Sequence, residues 1–446
     1  MKGDNMFTNK ELKRLIVPLI IEQILAVTVG MADVIMVSRV GEAAVSGVSL
    51  VDMINVLIIN IFAALATGGA VITAQFIGKQ KRELACRSVN QLFFSTAVIS
   101  MTVMAVVLLF RHGLLRLFFG SIDDDVMGNA LVYLVLSACS YPFLAVYNSG
   151  AAVFRSMGNS KVPMLISLMM NIVNIGGNAV FIFGFRMGVA GAATASLISR
   201  MMAAAVVFIL LRQQKHEVHL ARGISEWKPD FYLIKKILYI GIPNGLENSF
   251  FQLGRVLVVS IISCFGTVQI AANAVANNID SLGVLPGQAI SYAMITVVGQ
   301  CVGAGDFKQA REYGKKLLGI TYAVTFGLGA VVLTALPWIL KIYNLSPETL
   351  KLATVLIFIH NGCAMLMWPA SFVLPNALRA ANDVNYTMGV SIFSMLVFRI
   401  LFSYIIGLKM GYGAVGVWIA MIMDWIFRMT MFLIRFSGNK WQTHRI

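Results

Sequence analysis

Asp33 lies some 18 residues into an apolar run that begins at Leu15. A charge at membrane depth costs at least about 2.5–3.5 kcal/mol on insertion scales, so an acid kept there is a candidate for binding a proton or a cation. Asn171, Asn174 and Asn178 recur at spacings of three and four in another apolar run. That spacing puts the three amides on one helix face. An amide both donates and accepts, so it suits holding a carboxyl in either protonation state. Gly176 and Gly177 beside them allow a neighbouring helix to come close. Asp33 facing these amides is the expected cation-coupling site.

Glu22 precedes Asp33 by eleven residues, which returns it to within about 20° of the same helix face. Glu247 is its counterpart later in the chain, and Arg255 follows eight residues on. Asp280 sits beside Asn277 and Asn278. Glu22, Glu247, Asp280 and Arg255 are the candidates for a substrate cavity or secondary coupling position, with structural ion pairs as the alternative reading. Asp424 and Arg428, at i and i+4, read as a local pair. Asp52 is expected at a span end, capping or snorkelling. Arg200 and Arg399 are expected to satisfy carbonyls or acids, and His360 to pack as a neutral ring. Pro18 and Pro243 each remove a helix bond and permit a bend. The five cysteines are scattered without metal-ligand spacing and read as packing residues. No clustered catalytic set or nucleotide loop occurs, so an enzyme is not expected.

These residues need a membrane to stand in. The 446 residues are 58% hydrophobic and 12% charged, with mean hydropathy +0.81. Soluble chains carry about 25% charged residues. Twelve apolar spans are predicted, at 15–38, 51–78, 88–110, 126–154, 162–185 and 187–211, then 237–265, 267–303, 317–340, 352–378, 384–408 and 410–434. In lipid the backbone must pair internally, so these are helices. With the N-terminus inside, 25 of the 35 Lys and Arg fall on the inner side and seven on the outer. The net charge of +15 therefore reads as topology, with both termini cytoplasmic, rather than as nucleic-acid binding. Leu15 to Val37 is too long for a cleaved signal and is expected to be a retained first helix. His216 and His219 fall in the longest polar stretch and are expected in a solvated loop.

Matches recur at a spacing of 225: Pro18 with Pro243, Glu22 with Glu247, Gly188 with Gly413 and Gly191 with Gly416 among them. The expected fold is an all-α membrane protein of twelve transmembrane helices, in two six-helix lobes related by a pseudo-twofold axis along the membrane normal. The N-lobe is 1–211, the cytoplasmic inter-lobe linker 212–236 and the C-lobe 237–446. Alternating access would be a rocking of one lobe against the other.

The first helix reads PLIIEQILAVTVGMADVIMVSRVGE and is followed by GGAVITAQFIGK; the seventh reads GIPNGLENSFFQLGRVLVVSIISCFGT and is followed by VVGQCVGAGD. With NIVNIGGNAVFIFG and GVAGAATAS, these resemble the multidrug and toxic compound extrusion family over the whole chain. The resemblance implies an antiporter of the cell inner (plasma) membrane that exports small amphipathic organic cations in exchange for protons or Na+. It implies Asp33 as the coupling acid, with Asn174 and Asn178 on the fifth helix and Ala192 and Ser196 on the sixth. Asn178 stands where the family carries an acid, so the site has one formal negative charge. That weakens a mechanism in which two acids share a proton and does not exclude Na+; protons are slightly preferred as the coupling ion. Glu247 matches an acid of one branch, whose second acid on the tenth helix has no counterpart between Lys351 and Asp383. No cofactor is expected, and membrane lipids and a monomer are. The alternative within the superfamily is a lipid-linked oligosaccharide or lipid flippase, for which Arg200, Arg255 and Arg399 would be the basic candidates.

Overall fold

The computed structural model describes residues 6–120, 123–221, 223, 227–343 and 345–443. Lys2, Arg222 and Arg445 of the charge count lie outside them. Twelve long helices follow one another: α1 (Asn9–Ser38), α2 (Glu42–Gly78), α3 (Arg82–Phe119), α4 (Asp124–Ser156), α5 (Lys161–Gly184) and α6 (Val189–Leu211). Then come α7 (Phe231–Ser263), α8 (Thr267–Gly303), α9 (Phe307–Ile342), α10 (Pro347–Ala380), α11 (Val384–Lys409) and α12 (Gly413–Ser437). Eleven are long and apolar enough to cross a membrane. The exception, α7, has 33 residues but includes Lys235, Lys236, Glu247 and Arg255. Each helix matches its predicted span, with residues 185, 187–188, 264–265 and 410–412 of the spans falling outside the helices. Several start earlier, α9 by ten residues, because the helix continues into charged turns whose long side chains reach polar surroundings.

Two compact units form, one of Thr8–Gly245 and one beginning at Leu246, with Met6 and Phe7 packed in the latter. The boundary falls inside α7, where the second unit begins at Leu246, nine residues beyond the C-lobe start at 237 expected from the sequence. In the first unit α4 packs on α2, α3 and α6, and α5 lies between α1 and α6. In the second, α8 packs on α9 and α10, and α12 on α10 and α11.

The repeated glycines have local causes. Gly188 and Gly413 open α6 and α12 with φ of 59° and 57°, a left-handed conformation that favours glycine. Gly191 and Gly416 lie one turn on, where a Cβ would stand 3.0 Å from the Phe181 carbonyl carbon and 2.9 Å from that of Ile406. Phe181 and Ile406 are themselves 225 apart. Both contacts fall on π-helical turns, Ala179–Gly184 at the end of α5 and Ser403–Lys409 at the end of α11. Such turns carry one extra residue and recur at functional positions.

Pro18 cannot donate to the Arg14 carbonyl one turn back. The Ser160 hydroxyl fills that place, donating to the carbonyls of Leu15 at 2.5 Å and Arg14 at 3.3 Å.

The linker is not the solvated loop expected. Val218, Leu220 and Ala221 are buried. Arg82 at the start of α3 donates to the carbonyls of Glu217 (2.7 Å), His216 (3.1 Å) and Gln214 (3.4 Å). Asn90 and Gln91 bond the backbone at Ala221, Lys228 and Asp230. The His216 ring packs edge-on against Phe154 at 5.3 Å. Burial, with help from the Lys215 charge, lowers its pKa. Polarity alone suggested solvent, but the short alternation Val218–Leu220 supplies an apolar side.

α2 and the first half of α7 meet within the first unit through small residues. A Cβ on Gly68 would lie 2.4 Å from the Ile237 carbonyl oxygen and 3.0 Å from the Gly241 nitrogen. Backbone cannot step aside as a side chain can. Gly68→Ala should therefore destabilise the protein by about 1–3 kcal/mol, seen as a lowered thermal unfolding midpoint in detergent. An unchanged midpoint would mean that the two helices do not pack this closely.

Candidate functional site

Asp33, Asn174, Asn178 and Ser196 come together from α1, α5 and α6. The Asn178 amide donates to Asp33 Oδ1 at 2.5 Å and reaches Asn174 Oδ1 at 3.3 Å. The Asn174 amide donates to Ser196 Oγ at 3.0 Å. Asn171, one turn earlier, donates to the Leu25 carbonyl of α1 at 2.7 Å. The result is one polar chain, Asp33–Asn178–Asn174–Ser196, through a region with little water. Asn178 is fully buried, and its Oδ1 has no hydrogen-bond partner. Ala192, one turn before Ser196, is buried as well.

α2 and α4 supply what the sequence reading missed. Asp52 is not at a span end; it lies ten residues inside α2. Asn55 donates to it at 3.1 Å, Tyr133 bonds it, and Tyr141 donates to Asn55 Oδ1 at 2.8 Å. Arg200 on α6 donates to Ser140 Oγ at 2.6 Å, and its charge acts on both Asp33 and Asp52. Two carboxyls and one guanidinium thus share this part of the first unit. The spacing of three between Asp52 and Asn55 was visible; the tyrosine partners, far away in sequence, were not.

Glu22 lies elsewhere on α1. Arg155 of α4 bonds its Oε1, and Tyr147 reaches the same oxygen at 3.4 Å. Glu247 repeats this: Arg379 of α10 bonds it at 2.6 Å and also holds Asn376 at 2.7 Å. The two pairs span 133 and 132 residues of sequence, so the ion pair is itself part of the repeat. Both acids are in the geometry of the structural alternative. Arg255 does not pair with Glu247; it is exposed.

Asp280 does not bond Asn277, whose amide turns back to the Asn273 carbonyl at 2.9 Å. Asn361 of α10 donates to Asp280 Oδ1 at 2.7 Å. His360 Nδ1 stands 3.2 Å from the same oxygen, outside hydrogen-bond geometry. His360 is packed, as expected, between Trp418 and Trp425 at ring distances of 5.7 and 5.0 Å, but it packs against an acid. Asp424 and Arg428 form the i, i+4 bond at 2.9 Å. Arg428 belongs within α12, bonded to Ser391, and not with the inner-side charges where the sequence count placed it.

A chain of twelve long helices, eleven of them long and apolar enough to cross a membrane, is a multi-pass membrane protein. The comparisons with known proteins agree. The MatE family model matches twice, over residues 18–180 and 243–405, two stretches 225 residues apart. The chain belongs to the MatE family, that of the multidrug and toxic compound extrusion transporters. It is 28% identical over 439 residues to "Uncharacterized transporter YisQ" of Bacillus subtilis, covering 95% of this chain and 93% of that one. It is 26% identical over 452 residues to "Probable multidrug resistance protein NorM" of Thermotoga maritima, covering 98% and 94%. A solved structure described as the outward-facing conformation of a multidrug resistance MATE family transporter matches with TM-score 0.88 at 21% identity, over 97% of this chain and 96% of that one.

Breaking a buried ion pair leaves a bare charge. Arg155→Met should cost about 3–5 kcal/mol by stranding Glu22, and Glu22→Gln with Arg155→Met should recover most of it. Thermal unfolding of the single and double variants measures this, and equal losses in both would show the pair contributes nothing of its own.

Proposed function

We propose that this protein is a secondary antiporter that exports small amphipathic organic cations by alternating access, coupled at Asp33. The observation that carries this reading is the bond from the buried Asn178 amide to Asp33 within the polar chain that ends at Ser196. The ionised carboxylate accepts from Asn178 Nδ2. Once protonated, its O–H needs an acceptor, and the partnerless Asn178 Oδ1 supplies one when the amide turns over. One amide thereby offers the carboxyl a partner in either charge state. A single carboxyl favours protons as the coupling ion. Na+ is the second candidate, since Asp33, the amide oxygens and Ser196 are hard oxygen donors.

The names of the relatives support drug export. Of the three basic candidates for a flippase, Arg200 is engaged with Ser140 and acts on Asp33 and Asp52, which weakens that reading in the first unit. The Lys and Arg bias supports a cytoplasmic position for both termini; the setting we propose is the cell inner membrane, with the protein working as a monomer among lipids. Asn171 braces α5 against α1 and so holds the register of the site. Pro18 lies fifteen residues before Asp33, where its missing bond lets α1 bend as the carboxyl changes charge.

The test is uptake of a fluorescent cation into liposomes containing purified protein, under imposed proton or sodium gradients. Asp33→Asn should abolish gradient-driven transport while the protein still folds; full activity would sink the site, and no response to either gradient would sink the antiporter. In the same assay Pro18→Ala should impair transport with little loss of expression. Unchanged transport would remove the bend from the mechanism.

A further inference from the structure

The intramembrane charges of the first unit lean acidic, with Asp33 and Asp52 against Arg200. The second unit leans the other way. Asp424 is fully buried and bonds Arg428 through Oδ1, while Arg399 stands 3.6 Å from its Oδ2. The Phe251 ring lies 5.8 Å from both guanidinium carbons. Arg255, one turn beyond Phe251 on α7, brings a third guanidinium whose charge acts on Arg399. It is exposed, and among the described residues no hydrogen bond or ion pair holds it. The buried Nε of Arg399 also lacks an acceptor. Two arginines therefore share one carboxylate, with the charge of a third acting on one of them. Like charges at membrane depth, short of water, are unfavourable unless an anion joins them.

We propose that Arg255 and Arg399, beside Phe251, form a subsite for the oxyanion of an amphipathic substrate, a carboxylate or phosphate carried on an apolar body. A guanidinium presents a planar fork that matches such groups. Phe251 offers an apolar face to the body next to the charge. The substrate class then narrows from organic cations at large to amphiphiles that carry an oxyanion, zwitterions included. This narrowing rests on the exporter reading above.

Rhodamine 123 and rhodamine 110 share one cationic ring system; the first carries a methyl ester where the second has a free carboxylate. Fluorescence anisotropy with purified protein in neutral detergent should show rhodamine 110 binding about tenfold tighter, the scale of one charge-assisted contact. Arg255→Gln and Arg399→Gln should each erase that preference and leave rhodamine 123 binding unchanged. Arg255 is exposed, so its variant keeps the wild-type unfolding midpoint, and Arg255→Lys should retain part of the preference. Equal binding of the two dyes, no binding of either, or equal loss of both in Arg255→Gln overturns the subsite. Added phosphatidylglycerol that displaces rhodamine 110 from wild type would identify a lipid headgroup as an occupant, and no displacement would confine the subsite to soluble substrates. Failure of gradient-driven rhodamine 123 uptake with the dye preference intact would remove the exporter reading alone.

Discussion

Ionic and polar groups in the middle of these helices have no water to turn to, and the packing of each unit follows from where they find partners. Asp33 is answered by Asn178, Asp52 by Asn55 and Tyr133, Glu22 by Arg155, Glu247 by Arg379, Asp280 by Asn361, and Asp424 by Arg428. Most of these bonds join different helices. An apolar helix sliding in lipid has little to fix its rotation, whereas a buried acid with one reachable partner allows very few rotations.

The same rule separates structural charges from mobile ones. The Glu–Arg pairs occur once in each unit, with matching spacing, and each is neutral as it stands. Asp33, Asp52 and Asp280 differ because the groups that donate to them are uncharged. Arg255 is a cation that, among the described residues, no hydrogen bond or ion pair holds.

Much of this was legible in the chain. Hydropathy placed all twelve helices, and the 225-residue spacing paired glycines that the structure explains by left-handed turns and close backbone approach. The amide ladder of α5 was readable because 171, 174 and 178 fall on one face. The partners of Asp52, Glu22 and Glu247 were not, because each lies on a helix distant in sequence and no local periodicity points to it. Arg155 and Arg379 looked like inner-side topology charges, since counting cannot tell a lysine in solvent from an arginine turned into a bundle. The linker misled for the opposite reason. Its charged residues are conspicuous, and the two short apolar side chains that dock it are not.

The way Arg82 holds that linker has a further implication. It grips main-chain carbonyl oxygens, which every residue type presents alike. Apart from His216, whose ring packs on Phe154, the sequence between Gln214 and Glu217 is therefore free to drift as long as its path is kept. Arg82 itself, reading three oxygens with one planar fork, is not replaceable by lysine on equal terms.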